Sequence, residues 1–377
     1  MDFSFREEEQ AVADLARRIL ADHATNERLR SLEASGEAYD NELWRALAQA
    51  GLLGTAIPQP FGGADLGFLA LCLLLREVGR TVAPVPAFAS LVLGALPLAQ
   101  FGSDAQKGEL LAGVGSGERI MTAALAEFAS SDPLMPATRA EARGDGVRLT
   151  GIKTTIPYAE QASHVLVPAR FDDGSIGLFF VEPRGEGRRL TAQTTSDGQP
   201  HAQLELAGAV VPGDLRLGSQ GDGAGALRWL VQRAIAARCM MQLGVTERAL
   251  EMTAEYGRTR VQFDRPLGSL QTFHQRAADA YINVEAVRLS ALEATWRLSR
   301  GLPADEHVGV AKFWAAEGGQ FAAYACQHLH GGIGIDVDYP LHRHFLWAIQ
   351  IELELGSAKH HLDGLGRQIA ANGLPSA

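Results

Sequence analysis

Five groups of residues in this chain could do chemistry, and their spacing sorts them. Arg260, Phe263 and Gln271 put a forked cation, an aromatic ring and an amide within one short stretch, EYGRTRVQFDRPLGSLQ. Taken alone, that stretch reads equally as a solvated cation at a helix end beside a core aromatic. Gly331 and Gly332 follow His328 and His330 in HLHGGIGIDVDYPLHR; two residues without Cβ let a ligand come close, or simply end a helix. His274, His330, His342 and His344 invite a metal reading, yet no carboxylate or thiol completes a ligand set at recognisable spacing. They are expected at the surface or in polar networks, with no metal. Glu247, Glu352 and Glu354 are the carboxylates available for acid-base work, each also readable as a solvated helix-face group, and residues 223–246 contain no Asp or Glu at all. Cys72, Cys239 and Cys326 stand far apart in apolar surroundings, as buried thiols would.

Those residues need a scaffold, and the apolar spacing supplies one in three parts. Up to about residue 118, stripes such as Val12, Leu15, Ala16, Ile19 and Leu20 repeat at helical intervals, while the prolines and paired glycines of IPQPFGGADLG, from Ile57, force a loop. Over residues 119–218 the period falls to two. Val147 and Leu149, Val165 and Val167, and Ala202, Leu204 and Leu206 each face one way, between turns such as Gly144-Asp145-Gly146 and Asp172-Asp173-Gly174. Several short strands in a row predict a small β-barrel or sandwich. Over residues 219–377 helices return, and Phe273, Ala277, Ala280, Val284, Val287, Ala291, Ala294 and Leu298 advance in steps of three and four, the seam of a bundle. The expected fold class is α+β, with an all-α domain, a β-domain and a helical bundle in that order.

A chain of 377 residues, 46% hydrophobic and 21% charged, can bury the cores that three such domains need. Its net charge of -10 offers no broad basic field for nucleic acid. The start, MDFSFREEEQ, has neither the positive charge nor the apolar core of a signal peptide, and no apolar run reaches membrane-spanning length. The expectation is a cytoplasmic protein.

Four segments, in this order and with the expected elements around each, make the chain resemble the acyl-CoA dehydrogenase family over essentially its whole length. They are IPQPFGG at Ile57, GIKTTIPYA at Gly151, EYGRTRVQFDRPLGSLQ at Glu255 and HLHGGIGIDVDYPLHR at His328. The resemblance implies an N-terminal helical domain, a middle β-domain and a C-terminal four-helix bundle, with FAD held between the middle domain, the bundle and a neighbouring subunit. By position it implies that Arg260, Phe263 and Gln271 reach the FAD of the adjoining chain. The chemistry agrees, since a pyrophosphate needs a charged, forked donor, a ring can cover the adenine or ribose edge, and an amide can satisfy the remaining polar groups. Gly331 and Gly332 match the turn where backbone approaches a neighbour's FAD; His328 stands where Gln is usual, with Gln327 beside it. In the middle domain the stretch Ala126-Glu127-Phe128-Ala129-Ser130-Ser131-Asp132 is a residue shorter than usual, and Ala126 lacks the hydroxyl the family places near the flavin. Thr155 stands where an aromatic is usual, Pro157 where Thr or Ser is, and Tyr158 where Asn is. The implied flavin face is less polar and less tightly stacked, so weak FAD binding, or binding in a site shared with another subunit, is expected.

Acyl-CoA desaturation takes a proton from the α-carbon while a hydride leaves the β-carbon for the flavin, and the proton needs a carboxylate. The usual family position, counted from Tyr339-Pro340, is Leu355, followed by Gly356; the alternative, counted from Leu243-Gly244, is Ala234. Neither can take a proton. Glu354 is the first displaced candidate, although one step along a helix turns a side chain by about 100°. The double absence resembles one branch of the family, bacterial heterotetramers acting on bulky acyl-CoA thioesters such as steroid side chains, in which a homologous partner carries the base. The leading expectation is a FAD-associated, base-lacking subunit of an acyl-CoA dehydrogenase. It implies an acyl-CoA substrate, a homologous subunit in a hetero- or homotetramer, and electron-transferring flavoprotein as electron acceptor. The alternatives are a self-sufficient homo-oligomeric enzyme using Glu354 and a flavin-free assembly protein of the same fold.

Overall fold

The computed structural model describes residues 4–130, 132–219 and 221–373, so Ser131 of the shortened stretch lies outside the described residues. Helices α1 (Glu7–His23), α2 (Asn26–Ser35), α3 (Asn41–Gln49), α4 (Gly67–Thr81), α5 (Leu96–Phe101) and α6 (Asp104–Gly115) come first. Strands follow: β1 (Met121–Ala123), β2 (Arg139–Arg143), β3 (Gly146–Pro157), β4 (His164–Arg170), β5 (Ile176–Val181), β6 (Arg188–Thr194), β7 (Pro200–Val211) and β8 (Arg216–Leu217). Then come α7 (Gly223–Thr259), a hairpin of β9 (Val261–Gln262) and β10 (Arg265–Pro266), α8 (Gln271–Ser299), α9 (Asp305–His330), α10 (Leu341–Leu353) and α11 (Ala358–Asn372). This is an α+β fold with helices, then strands, then helices along the chain, as the change of apolar period predicts.

Local signals set helix boundaries. Asp40 caps α3, its carboxylate accepting from the backbone of Glu42 and Leu43, and Leu43, Trp44 and Leu47 then share one buried face. Ser103 and Gln106 form a capping box on α6, and the Gln106 amide also donates to the carbonyls of Asp214 and Arg216, tying that helix to the end of the sheet.

The chain packs as two compact units. The first comprises Met1–Leu15, Ser35–Leu71 and Pro84–Ala234, the second Ala16–Ala34, Cys72–Ala83 and Ile235–Ala377. Within the first, the strands make one sheet in the order β6-β7-β3-β2-β4-β5-β8, with β1 parallel to β4. Val147 and Leu149 of β3, Val165 and Val167 of β4, Phe179 and Val181 of β5, and Leu204 and Leu206 of β7 meet in one core, so the sheet curls over a single apolar interior. A bulge in β3, between Lys153 and Ile156, breaks its register with β7 and puts Thr155 at φ +46°.

Within the second unit α9 is the central helix, with α8, α10 and α11 packed against it. Its buried face is rich in small residues, Ala311, Ala315, Ala316, Ala322 and Ala325 among them, which lets neighbours approach closely. The crossing of α4 and α7 is closer still. A Cβ on Gly79 would lie 2.2 Å from the Met241 carbonyl oxygen, and one on Gly244 would lie 1.9 Å from that of Arg76. Only glycine fits at either position.

Candidate functional site

Arg260, Phe263 and Gln271 lie along the segment that leads from α7 through a short hairpin to the start of α8. α7 closes with the Arg260 amide on the Tyr256 carbonyl, and the Leu267 amide returns to the Arg260 carbonyl at 2.8 Å. Between them β9 and β10 pair through Arg265 with Gln262 and Pro266 with Val261. The two-residue tip is Phe263 and Asp264, at φ +55° and +62°. Tips of this kind usually carry Asn-Gly, because two left-handed residues in succession are costly for anything with a Cβ. Here the bulky residue is also 84% exposed. Phe263 is therefore not the core aromatic of the plainer sequence reading; its ring is held away from the chain's own interior. Arg260 and Gln271 are exposed as well, the latter opening α8.

The glycine turn lies elsewhere on the second unit. α9 ends at His330, and Gly331 takes φ +65° with ψ -142°, a conformation only glycine adopts freely. Nothing lies within 4 Å of a Cβ built on Gly331 or Gly332. Both are exposed, as is His328, while Gln327 is half-buried. His330 and His344 are buried in polar contacts, His330 beneath Tyr339 and His344 against the Arg80 carbonyl at 3.0 Å. Among the described residues no group of three or more His, Cys, Asp or Glu is placed to hold a metal ion.

On the first unit, Ala126 and Thr155 lie close together near the C-terminal end of β3, both exposed, with the Thr154 amide donating to the Ala126 carbonyl at 3.0 Å. Beneath them runs a buried ion pair, Lys153 to Glu127 at 2.6 Å. Burial pulls Lys153 down to about 8 against the pull of Glu127. Burial alone would raise Glu127, but the Lys153 charge and hydrogen bond, with Thr138 and the Ala137 amide, hold its carboxyl below the usual range. Gln193 accepts from the Thr155 amide at 2.8 Å, so this bulge keeps its own backbone donor occupied. Tyr158, where Asn is usual in the family, sits at φ +54° and only 2% exposed. Asn tolerates that left-handed backbone; Tyr compensates by burying its ring and donating to Gln199 at 3.1 Å.

The acid-base positions are apolar. Ala234, on α7, is fully buried. Leu355 is half-buried at φ +56°, in the short connection between α10 and α11. The helical argument against Glu354 needs correction, because α10 has already ended at Leu353 and Glu354 is extended. The Glu354 carboxylate lies 2.6 Å from the Arg238 guanidinium and accepts from the Gln350 amide at 3.0 Å. The connection is held from other helices too. Lys312 of α9, fully buried, donates to the carbonyls of Ile351 and Glu352, both at 2.9 Å, and burial pulls it down to about 8. His361 of α11, which burial pushes down to about 4 and so keeps neutral, donates from Nε2 to the Leu355 carbonyl at 2.9 Å.

Glu247 likewise is no solvated helix-face group. It is 4% exposed and clamped by Arg76 at 2.7 Å, Arg288 at 2.6 Å and Arg80 at 3.4 Å. Glu352 is half-buried, its carboxyl raised by burial, with Gln320 donating to it at 3.1 Å. No sequence signal announces Arg238, Lys312 or His361, because each meets the connection only through tertiary packing. The three thiols are buried as expected, with Cys239 and Cys326 pushed up to about 12 and 11 by burial.

The donor set fits FAD on the second unit better than on the first. An exposed guanidinium, a projecting ring, an amide and a glycine turn open to a ligand are what a dinucleotide needs. The end of β3 adds one small hydroxyl, and its neighbour Ala126 none. A cavity of about 440 Å³ lined by Arg17, Asn26, Arg80, Arg248 and His344, and a groove of about 670 Å³ along α7 and α8, contain none of these residues.

Residues 6–118 match the acyl-CoA dehydrogenase N-terminal domain, and residues 221–370 the acyl-CoA dehydrogenase C-terminal domain. Acyl-CoA dehydrogenase FadE27 of Mycobacterium tuberculosis is 41% identical over 98% of this chain and 99% of its own. Among solved structures, the ChsE4-ChsE5 complex from Mycobacterium tuberculosis contains a chain 40% identical over the whole of both, with a TM-score of 0.93. A variant of the Tcur3481-Tcur3483 steroid ACAD contains one 44% identical over 97% of this chain and 98% of that one, with a TM-score of 0.90. Members of the family are flavin oxidoreductases that bind FAD. With family domains at both ends and end-to-end likeness to these relatives, the chain belongs to the acyl-CoA dehydrogenase family.

Proposed function

We propose that this chain is the base-lacking subunit of an acyl-CoA dehydrogenase that desaturates a bulky, steroid-type acyl-CoA thioester, paired with a homologous chain that carries the carboxylate and shares its FAD. The observation that carries the reading is hydrocarbon at both acid positions, Ala234 and Leu355, with the adjacent Glu354 committed to Arg238 and Gln350. A general base needs a lone pair within hydrogen-bond reach of the proton it takes, and a carboxylate held against a buried guanidinium is poorly suited to that task. The steroid class and the two-chain assembly rest on the relatives, one described as a steroid enzyme and another as a complex of two chains.

FAD, when bound, accepts the hydride from the β-carbon. This chain's own residues bind and orient. Arg260 offers a forked cation to the pyrophosphate, Phe263 covers the adenine or ribose edge, Gln271 supplies an amide, and the turn at Gly331 and Gly332, next to His328, lets backbone come close. Ala126 and Thr155 border a sheet face that holds flavin weakly by itself. Domain limits of 1–118, 119–218 and 219–377, a cytoplasmic setting and electron-transferring flavoprotein as acceptor complete the reading. Co-expression with a homologous chain that has the Glu, followed by measurement of flavin per chain alone and together, is the test. The expected result is a nearly colourless single chain and a yellow, acyl-CoA-reducible complex. A single chain that is yellow and reduces an artificial acceptor with acyl-CoA, losing that activity in Glu354→Gln, would instead make it self-sufficient. A chain colourless in every pairing would make it an assembly protein.

A further inference from the structure

The segment joining α9 to α10 is exposed, apolar and glycine-rich, yet it is fastened at both ends. At its start, His330 Nδ1 lies 2.8 Å from the Cys326 carbonyl oxygen. A carbonyl only accepts, so Nδ1 carries the proton and Nε2 presents a lone pair. Tyr339 Oη lies 3.1 Å from that lone pair, so the phenol donates to it across the base of the turn. The imidazole also stacks on Tyr256 of α7, with centroids 4.5 Å apart and planes at 21°.

At the other end α2 supplies the clasp. Arg30 meets the Asp338 carboxylate at 2.7 Å, Asn26 donates to the Asp338 carbonyl at 3.0 Å, and Arg343 forks onto Glu33 at 2.6 and 2.7 Å. Between these ends Ile333, Ile335 and Val337 stand out at 39%, 68% and 68% exposure. A loop with three exposed β-branched side chains and a left-handed glycine gains nothing from rigidity on its own account. Rigidity pays when something docks, because the ordering cost has already been met.

We propose that His330 and Tyr339 are positioning residues: the hydrogen bond between them, backed by Tyr256, holds residues 331–337 in one shape that receives the shared FAD. The inference rests on the function proposed above, and it extends the site to two side chains with no assigned contact to the cofactor. Burial keeps His330 below the usual imidazole range, which favours the neutral form this bond requires.

The test uses the full chain in complex with its homologous partner. Tyr339→Phe removes the donor and leaves the buried Nε2 unpaired; Tyr339→Phe with His330→Leu removes that unpaired nitrogen too, so the cost of burying it is recovered without restoring the bond, while the Nδ1 bond to the Cys326 carbonyl is given up. Two quantities are read: amide hydrogen exchange over residues 331–337, and FAD affinity of the stripped complex by flavin fluorescence. We expect exchange in the turn to quicken about tenfold and the FAD Kd to rise about tenfold in both variants, the double variant included, a factor equivalent to about 1.4 kcal/mol. FAD affinity that recovers in the double variant along with its melting temperature would reduce the pair to a structural role and overturn the proposal, as would affinity within twofold of wild type in both variants. If the wild-type complex takes up no flavin, the proposed function fails separately. The exchange measurement then judges the pin alone, with unchanged exchange overturning it and quickened exchange supporting it.

Discussion

Besides Val82 after α4, two segments of the second unit put a bulky residue in the left-handed region, and these two treat it in opposite ways. In the arm after α7, Phe263 at φ +55° is 84% exposed, at the tip of a two-strand hairpin. In the connection after α10, Leu355 at φ +56° is surrounded by the contacts of Arg238, Lys312, Gln350 and His361 with its neighbouring residues. Each backbone costs roughly 1–2 kcal/mol relative to an ordinary turn. The connection offsets that from within, through an ion pair from α7 and hydrogen bonds from α9 and α11. The arm is held by its own two-strand pairing and by the Leu267 amide on the Arg260 carbonyl, while the Phe263 ring stays exposed, which agrees with the role proposed for it at the flavin. The connection's strain is backed by contacts within the chain, and the exposed strain of the arm is the one that the proposed flavin site would use.

The sharpest way to break this contrast is to unfasten the connection. Glu354→Gln leaves the buried Arg238 guanidinium without its carboxylate and should lower stability by about 3 kcal/mol in urea unfolding. A change under about 0.5 kcal/mol would mean the platform is not held as described. On the arm, Arg260→Ala should do the reverse: unfolding stays within error, while FAD affinity of the two-chain complex falls about thirtyfold, or about 2 kcal/mol. Unchanged affinity would remove Arg260 from the flavin site.

A pH series probes the buried cations. Lys312 and Lys153 both titrate in the folded chain at about 8, pulled down by burial from the usual 10.5. Between those values the unfolded chain binds the extra protons, so stability rises as pH climbs from 8 to 10.5, is lost as pH falls from 10.5 to 8, and is flat below 8, where both states carry the proton. The rise should be on the order of 1 kcal/mol for Lys312, read as the difference between wild type and Lys312→Met in unfolding curves across that range. Identical slopes would show that Lys312 keeps its proton.

The smallest effect is the most discriminating. Phe263→Gly relieves the left-handed strain and should raise stability by about 0.5–1 kcal/mol while weakening flavin binding. Leu355→Gly relieves the same strain but loses half-buried hydrocarbon, so its net effect on unfolding should be near zero. If both glycine variants shift alike, the arm and the connection are not different in kind.

Much of the architecture was legible from apolar period alone. The stripe from Phe273 to Leu298 lies on α8, with Phe273, Ala280, Val284, Val287, Ala291, Ala294 and Leu298 buried, because a 3.6-residue repeat has one way to bury a face. The alternation of Val147 and Leu149 with Val165 and Val167 lies in the sheet core for the equivalent reason at period two. The site was legible in its types but not in its surroundings. Solvated carboxylates were the plain expectation for Glu247 and Glu354, and both are held by guanidiniums from remote parts of the chain, Arg76, Arg80 and Arg288 for one and Arg238 for the other. The left-handed backbones at Thr155, Tyr158, Phe263 and Leu355 were equally hidden, since none is a glycine.

Residue identity and periodicity already fixed which elements form, in what order, and that positions 234 and 355 carry no acid, since these follow from short-range geometry and composition. Folding in three dimensions settled which charges meet, which carboxylates lose their freedom, and which strained residues are backed or left open. Those outcomes depend on contacts between segments far apart along the chain, about which local spacing carries no information.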